Sequence, residues 1–184
     1  MDTATISTFF ALSAVAILML VVITGAVWLL SMGGGPAAAW KSTIVVSLGD
    51  RAVLLAWLVA VIATAGSLYY SEVAGFEPCA YCWYQRIAMY PLAVILGVAA
   101  WRRDRSIHLY AIPLAAIGGA IAVYHYLVQR FPDLSTGSCS ATAPCRGIWV
   151  WELGFVTIPV MAFACFAAII TLLGIGRSRA AANR

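Results

Sequence analysis

Residues 79–86 read Cys-Ala-Tyr-Cys-Trp-Tyr-Gln-Arg and lead directly into an apolar run that continues to residue 101. The segment places two closely spaced thiols and an arginine where a loop enters a hydrophobic helix. Paired thiols are reactive and an arginine in such a helix is costly, so the combination indicates a functional site. The surrounding segments decide which kind of site it is.

The composition of the chain is that of a membrane protein. Of the 184 residues, 64% are hydrophobic and 10% are charged, whereas soluble domains carry about 25% charged residues. Lipid offers the backbone no hydrogen-bond partners, so apolar runs of about 20 residues are expected to be helices. The predicted fold is an all-α polytopic membrane protein with five spans, at residues 7–31, 52–72, 84–101, 107–128 and 155–175.

The first apolar run has two interpretations. A cleaved signal peptide would suit the small residues Pro-Ala-Ala-Ala at 36–39. However, the run lacks a basic N-terminal region, and its apolar core exceeds the roughly 7–15 residues typical of signal peptides. We therefore expect a retained transmembrane helix, followed by a Gly-rich cytoplasmic linker that reaches residue 51.

Lysine and arginine are unevenly distributed between the two predicted faces of the membrane. Eight fall on one face and three on the other. Positively charged loops stay in the cytoplasm, so we predict an outward N-terminus, an inward C-terminus and both cysteine-bearing loops on the outer face. The eight are Lys41, Arg51, Arg102, Arg103, Arg105, Arg177, Arg179 and Arg184, and the three are Arg86, Arg130 and Arg146.

Four of the five cysteines fall in the predicted outer loops, in two close pairs: Cys79 with Cys82, and Cys139 with Cys145. Disulfides persist outside the cytoplasm, so each pair could simply close a structural loop. All four could instead bind zinc, because structural zinc sites use closely spaced cysteines. The spacing favours redox exchange without excluding either alternative.

The residues around Cys82 strengthen the redox interpretation. Pro78 and Cys79 precede a predicted helix, so Cys82 lies in the first turn, where the helix dipole favours an anion. Arg86 follows one turn later on the same face. Both features should lower the pKa of the Cys82 thiol and favour the thiolate, which attacks disulfides. The alternative for Arg86 is an interfacial arginine that reaches for lipid headgroups.

Two further polar side chains are candidates for the site. His125 lies near the outer end of the fourth predicted span and could hydrogen-bond a bound carbonyl or move a proton. A packed interfacial histidine would give the same pattern. Gln85, beside Arg86, could also donate to a bound carbonyl.

Several segments together carry a family resemblance. The most specific are residues 78–86, Pro-Cys-Ala-Tyr-Cys-Trp-Tyr-Gln-Arg, and 89–91, Met-Tyr-Pro; residues 112–114, 122–126, the Cys139/Cys145 loop and 154–159 follow in order. Over roughly residues 52–176 the chain resembles the DsbB/BdbC family of disulfide-bond-forming membrane proteins, and the BdbC branch most closely. The vitamin K epoxide reductase family also has a Cys-x-x-Cys, but its loop pair precedes that motif.

The resemblance implies how the chain is divided. Residues 52–176 would form a four-helix redox core, and residues 177–184 a basic cytoplasmic tail. Residues 1–51, an extra transmembrane helix with its linker, depart from the family pattern. The implied location is the bacterial cytoplasmic membrane, as a multi-pass protein with its cysteine loops on the outer side.

The resemblance also implies an activity, that of a quinone-dependent protein-disulfide oxidoreductase. A reduced DsbA- or BdbD-like thioredoxin-fold partner would attack the Cys139–Cys145 pair at Cys139, and electrons would pass through Cys79 and Cys82 to ubiquinone or menaquinone. The residues implied to contact the quinone are Arg86, Cys82, Gln85 and His125. No metal and no nucleic acid are expected. The alternatives are a vitamin K epoxide reductase-like enzyme, a reductase with opposite electron flow, and a non-enzymatic protein with structural disulfides or a four-cysteine metal site.

Overall fold

A computed structural model of the chain describes residues 2–104, 106–134, 139 and 144–182. The predicted charges Arg105 and Arg184 lie outside these residues. Six α-helices make up most of the described chain, which contains no strand beyond one isolated bridge between Glu152 and Val156. The helices are α1 (Thr3–Leu30), α2 (Pro36–Leu48), α3 (Ala52–Leu68), α4 (Ala80–Arg102), α5 (His108–Arg130) and α6 (Ile158–Ala182).

Four helical segments are long and apolar enough to cross a membrane: Thr3–Gly33, Pro36–Val73, His108–Arg130 and Ile158–Ala182. This confirms a helical membrane protein. The remaining predicted span, residues 84–101, corresponds to α4, whose 23 residues would reach about 34 Å at 1.5 Å per residue. The polar residues in its first turns keep its hydropathy below that of the other four. The five-span topology and its orientation remain predictions.

The linker predicted as a loop after the first span is largely helical. Only the turn at Gly34 and Gly35 is irregular, with φ angles of 78° and 72° that favour glycine. Pro36 then occupies the first helical turn, where its missing N–H costs nothing. The three alanines that follow are the strongest helix formers, so α2 continues to Leu48. The sequence argument gave too much weight to the glycines.

The main core lies where α3, α4, α5 and α6 meet, around Leu92, Leu96, Phe166 and Ile169. Gly118 of α5 lets side chains of α4 and α6 approach the α5 backbone closely in this core. A Cβ at that position would overlap the Phe166 ring and lie 2.9 Å from the Ala88 Cβ. Helices α4, α5 and α6 are therefore in direct contact at this level.

The two ends of the bundle differ in chemistry. At one end, Arg179 donates to Asp50 across 3.4 Å, and a cavity there is lined by Arg51, Arg103 and Arg177, among others. Both cysteine pairs lie at the opposite end, where α4 begins and α5 ends. The basic residues around this cavity thus lie away from both cysteine pairs in space.

Candidate redox site

The Cys-x-x-Cys motif forms the entry to α4. Cys79 is the N-cap, with an extended backbone (φ −71°, ψ 172°), and the helix begins at Ala80. Cys82 therefore lies in the first turn, as the sequence predicts. The two thiols are unbonded, with their Sγ atoms 3.1 Å apart. They are close enough to form a disulfide after small rotations of the side chains.

The second pair is joined by a disulfide between Cys139 and Cys145, with the Cα atoms 5.6 Å apart. Cys145 is buried and packs in one cluster with Cys79, Tyr81 and Val128. The two pairs, distant in sequence, are thus neighbours. A four-cysteine metal site needs four thiolates, and the bonded pair supplies none. Among the described residues, the group able to hold a metal is Cys79, Cys82 and His125, whose ligand atoms lie within 4.8 Å of one another.

His125 lies between the two cysteine pairs. Its Nε2 is 3.1 Å from the carbonyl oxygen of Cys145 and 3.6 Å from the Sγ of Cys79. A carbonyl oxygen can only accept, so Nε2 carries the proton. The other ring nitrogen, Nδ1, then accepts from the Gln85 side-chain amide at 3.0 Å. The buried imidazole therefore presents one N–H to both the loop carbonyl and the first thiol of the motif.

The electrostatics of the pair differ from the sequence prediction. A hydrogen bond from the Cys82 thiol and a second from His125 outweigh burial and lower the pKa of the Cys79 thiol to about 4. In this reduced pair the negative charge thus lies on Cys79, whereas the sequence argument places the thiolate on Cys82. The sequence argument weighed the helix dipole and Arg86, but it did not place His125 beside Cys79.

An apolar cavity of about 170 Å³ begins at Cys82 and runs between α1, α3, α4 and α6. Gln85 and Arg86 line it near Cys82, and apolar side chains such as Met89, Met161 and Phe166 line it deeper in the bundle. Its surface is therefore mostly hydrocarbon, and the polar side chains that line it include Glu77, Ser67, Tyr90 and Cys165 besides Cys82, Gln85 and Arg86.

Arg86 is turned into the protein and is only 9% exposed. Its Nε donates to the Ser67 hydroxyl and its Nη2 to the Ser67 carbonyl, each at 3.0 Å. Its guanidinium also lies 5.1 Å from the centre of the Trp83 ring. The interfacial interpretation, in which the side chain extends to headgroups, does not describe this geometry. The Arg86 side chain also lines the apolar cavity.

The structure brings Cys82, Gln85 and Arg86 together at the cavity but places His125 elsewhere. His125 lines a smaller cavity together with Cys79, Cys82, Gln129 and Pro144. Its link to the larger cavity runs through Gln85. The positions that the sequence argument did not identify include Ser67, which shares its apolar run with another hydroxyl, Thr64, and carries no distinctive signal.

An aromatic stack at the outer end of the cavity was also not predicted. Tyr70 stacks on Phe76 with ring centres 5.6 Å apart, and Phe76 stacks on Trp149 at 5.1 Å. All three side chains line the cavity. The stack connects the end of α3 to the segment that follows the Cys139–Cys145 disulfide.

Comparison with known proteins bears directly on this site. The family model described as "Disulfide bond formation protein DsbB" matches residues 49–176. The chain belongs to the DsbB family. The matched region contains α3, α4, α5, most of α6 and all five cysteines, whereas α1 and α2 precede it. No solved structure matches the chain.

Curated relatives of the DsbB-family chain carry names consistent with this membership. "Disulfide bond formation protein C" of Bacillus subtilis is 45% identical over 127 residues, which cover 67% of this chain and 92% of the relative. "Probable disulfide formation protein C" of Bacillus cereus is 46% identical, covering 65% and 87%. "Probable disulfide formation protein" of Chlamydia trachomatis is 42% identical, covering 68% and 92%. The resemblance predicted from the motifs is confirmed, and these names support a disulfide oxidoreductase.

The position of His125 predicts how the reduced pair responds to pH. A thiolate is lost as pH falls through its pKa, so the ultraviolet absorbance of the Cys79 thiolate should persist until about pH 4. His125→Ala removes a donor to that thiolate, which raises the pKa and moves the loss of absorbance to higher pH. The measurement is an acid titration of the reduced protein.

The matched control for this titration is His108→Ala, which removes the only other histidine of the chain, at the start of α5. Cys79→Ser identifies the part of the signal that belongs to Cys79. An unchanged midpoint in His125→Ala, or an equal shift in His108→Ala, would contradict the assigned contact.

Proposed function

We propose that the chain is a quinone-linked thiol oxidase that reoxidises an extracytoplasmic DsbA-like thioredoxin-fold protein and so supports disulfide formation in exported proteins. The observation that carries the proposal is the position of the Cys79/Cys82 pair. One of its thiols packs against Cys145, and the other lines the apolar cavity. The pair is thus placed to exchange with a second disulfide on one side and with a membrane-soluble acceptor on the other.

The residues at the cavity fit a quinone. An isoprenoid quinone is largely hydrocarbon and carries two carbonyl oxygens that only accept hydrogen bonds. The cavity offers an apolar surface together with the donors of Arg86 and Gln85, close to Cys82. When bound, the quinone supplies an acceptor for the two electrons and two protons that the Cys79/Cys82 dithiol releases as its disulfide re-forms.

The thiol exchange begins at the loop disulfide. A thiolate of the reduced partner attacks the Sγ of Cys139, so a partner–Cys139 bond forms, the Cys139–Cys145 bond breaks and Cys145 leaves as a thiolate. Cys145 then attacks Cys79 of the oxidised Cys79–Cys82 pair, and Cys82 leaves with the electron pair. In that state Cys82 no longer donates to a Cys79 thiolate, and Arg86 and the helix dipole favour its own charge.

Two further exchanges complete the transfer. The second thiol of the partner attacks the partner's own sulfur, forming its disulfide and releasing Cys139. Cys139 then attacks Cys145, which restores the loop disulfide and releases Cys79. The partner has lost two electrons and the Cys79/Cys82 pair has gained them. The position of Cys145 and Cys79 in one buried cluster supports the middle exchange.

The proposed setting is the bacterial cytoplasmic membrane, with both cysteine pairs on the outer side. The clustering of basic residues at the opposite end of the bundle supports this orientation, because such residues remain cytoplasmic. The outer side is also where a disulfide persists and where exported proteins acquire theirs.

The test is a coupled assay on the purified protein in detergent. A reduced thioredoxin-fold oxidase of the DsbA type is mixed with ubiquinone or menaquinone, and quinone absorbance is followed together with partner thiols. We expect one quinone to be reduced for each partner disulfide formed, and no reduction without the membrane protein. A Cys79–Cys82 bond inert to both reagents would favour a structural role, and net transfer from quinol to the partner would favour a reductase.

A further inference from the structure

Helix α1 lies outside the region that the family model matches, yet it forms one wall of the cavity. Its contribution comes from Phe10, Ser13, Ala14 and Ile17. Their spacing of three, one and three residues places them on a single helical face. The cavity is therefore bounded on this side by a helix that precedes the region matched by the family model.

The wall is held in place by specific contacts. The Tyr70 hydroxyl and the Ser7 hydroxyl are 3.2 Å apart in a buried hydrogen bond between α1 and the turn that ends α3. The Phe10 ring packs edge-on against Tyr70 with centres 6.1 Å apart. Ala11 and Ala14 are buried in the same cluster as Met161 of α6. Small side chains thus let α1 approach α6 closely.

The rest of α1 faces outward. Leu12, Met19, Leu20 and Val22 are each more than half exposed, as expected for side chains that meet lipid. The exposed and buried faces of the helix divide cleanly at the level of the cavity. Phe10 and Ile17 occupy the boundary between lipid on one side and the cavity on the other.

We propose that α1 is the lateral wall of the quinone site, which separates the occupant from lipid between α3 and α6 and limits its shape through the Phe10–Ser13–Ala14–Ile17 face. The inference rests on the proposed function, because it takes an isoprenoid quinone as the occupant. The position of the quinone's polar head is determined by Cys82, Gln85 and Arg86. The volume left for its apolar part is determined by α1.

The test enlarges a side chain of α1 that lines the cavity. Ala14→Leu extends a side chain into the cavity, and Ala16→Leu makes the same change at an exposed position of the same helix. We expect Ala14→Leu to raise the quinone dissociation constant about tenfold or more, the effect of overfilling a packed site. Ala16→Leu should bind like the wild type. Binding is measured by titration of the oxidised protein with quinone, followed by extraction and chromatography of the retained quinone.

Two additional measurements keep the outcome interpretable. Ile17→Ala, which enlarges the cavity, should also weaken quinone retention but without the risk of overpacking. Exchange between the reduced partner and the Cys139–Cys145 disulfide, measured without quinone, should be unchanged in all three variants. Equal quinone binding by the wild type, Ala14→Leu and Ile17→Ala would overturn the role of α1 alone. Failure of the wild type to bind or reduce quinone would overturn the proposed function, and the role of α1 with it.

Discussion

Cys82→Ser is expected to stop quinone reduction, lowering turnover by about 1,000-fold or more, as removal of an essential nucleophile does in other enzymes. Cys82 is the cysteine of the motif whose side chain lines the apolar cavity, and without it the Cys79–Cys82 disulfide cannot form. The change replaces sulfur by oxygen and adds no bulk. The measurement is the coupled assay of quinone absorbance and partner thiols.

The same variant separates chemistry from folding. The Cys139–Cys145 disulfide should remain intact in Cys82→Ser, as shown by mass spectrometry of non-reduced fragments, and the thermal unfolding midpoint should change little. The mixed disulfide between Cys139 and the partner should still form when the reduced partner is added. Wild-type turnover in Cys82→Ser would remove this residue from the electron path.

Arg86→Met is expected to weaken quinone binding by about 10–100-fold, because a hydrogen bond from a charged donor contributes about 1.5–3 kcal/mol. Methionine keeps much of the aliphatic length but removes every donor. The contacts with Ser67 fix the arginine against α3, so the guanidinium is held at the cavity that it lines. The measurement is the quinone dissociation constant, together with KM for quinone in the coupled assay.

Arg130→Met is the matched control for this change. Arg130 belongs to the same end of the bundle and also lies over aromatic rings, 4.9 Å from the centre of Trp151 and 6.0 Å from that of Tyr126. It does not line the apolar cavity. A loss of quinone affinity as large in Arg130→Met as in Arg86→Met would indicate a general effect of charge, and unchanged binding in Arg86→Met would leave that residue a structural link between α3 and α4.

The parts of the fold that local chemistry controls could be predicted from the sequence. The start of α4 at the Cys-x-x-Cys motif follows from Pro78 and from the apolar run behind it, and the helical membrane character follows from composition. The linker after α1 differs from the prediction because the three glycines at 33–35 precede α2 and do not interrupt it. The alanines at 37–39, which have the highest helix propensity, follow Pro36 in the first turns of that helix.

The parts of the site that depend on distant contacts could not be predicted in the same way. His125 is 46 residues from Cys79 in the chain, and no periodicity shows that its Nε2 faces a thiol and a loop carbonyl rather than the cavity. The same limit applies to Ser67 and to the wall formed by α1. Each depends on how the helices pack against one another. That packing depends on the sizes of side chains along the whole chain, so no local sequence pattern reveals it.

The absence of a side chain at Gly118 also bears on which helices can move apart around the cavity. Helices α4, α5 and α6 already touch at that level, so they behave as a stiff block that resists expansion. Helix α3 packs into the same core. An occupant larger than the resting cavity is therefore expected to gain its room by displacement of α1, and a molecule from the bilayer would then enter on the side of α1.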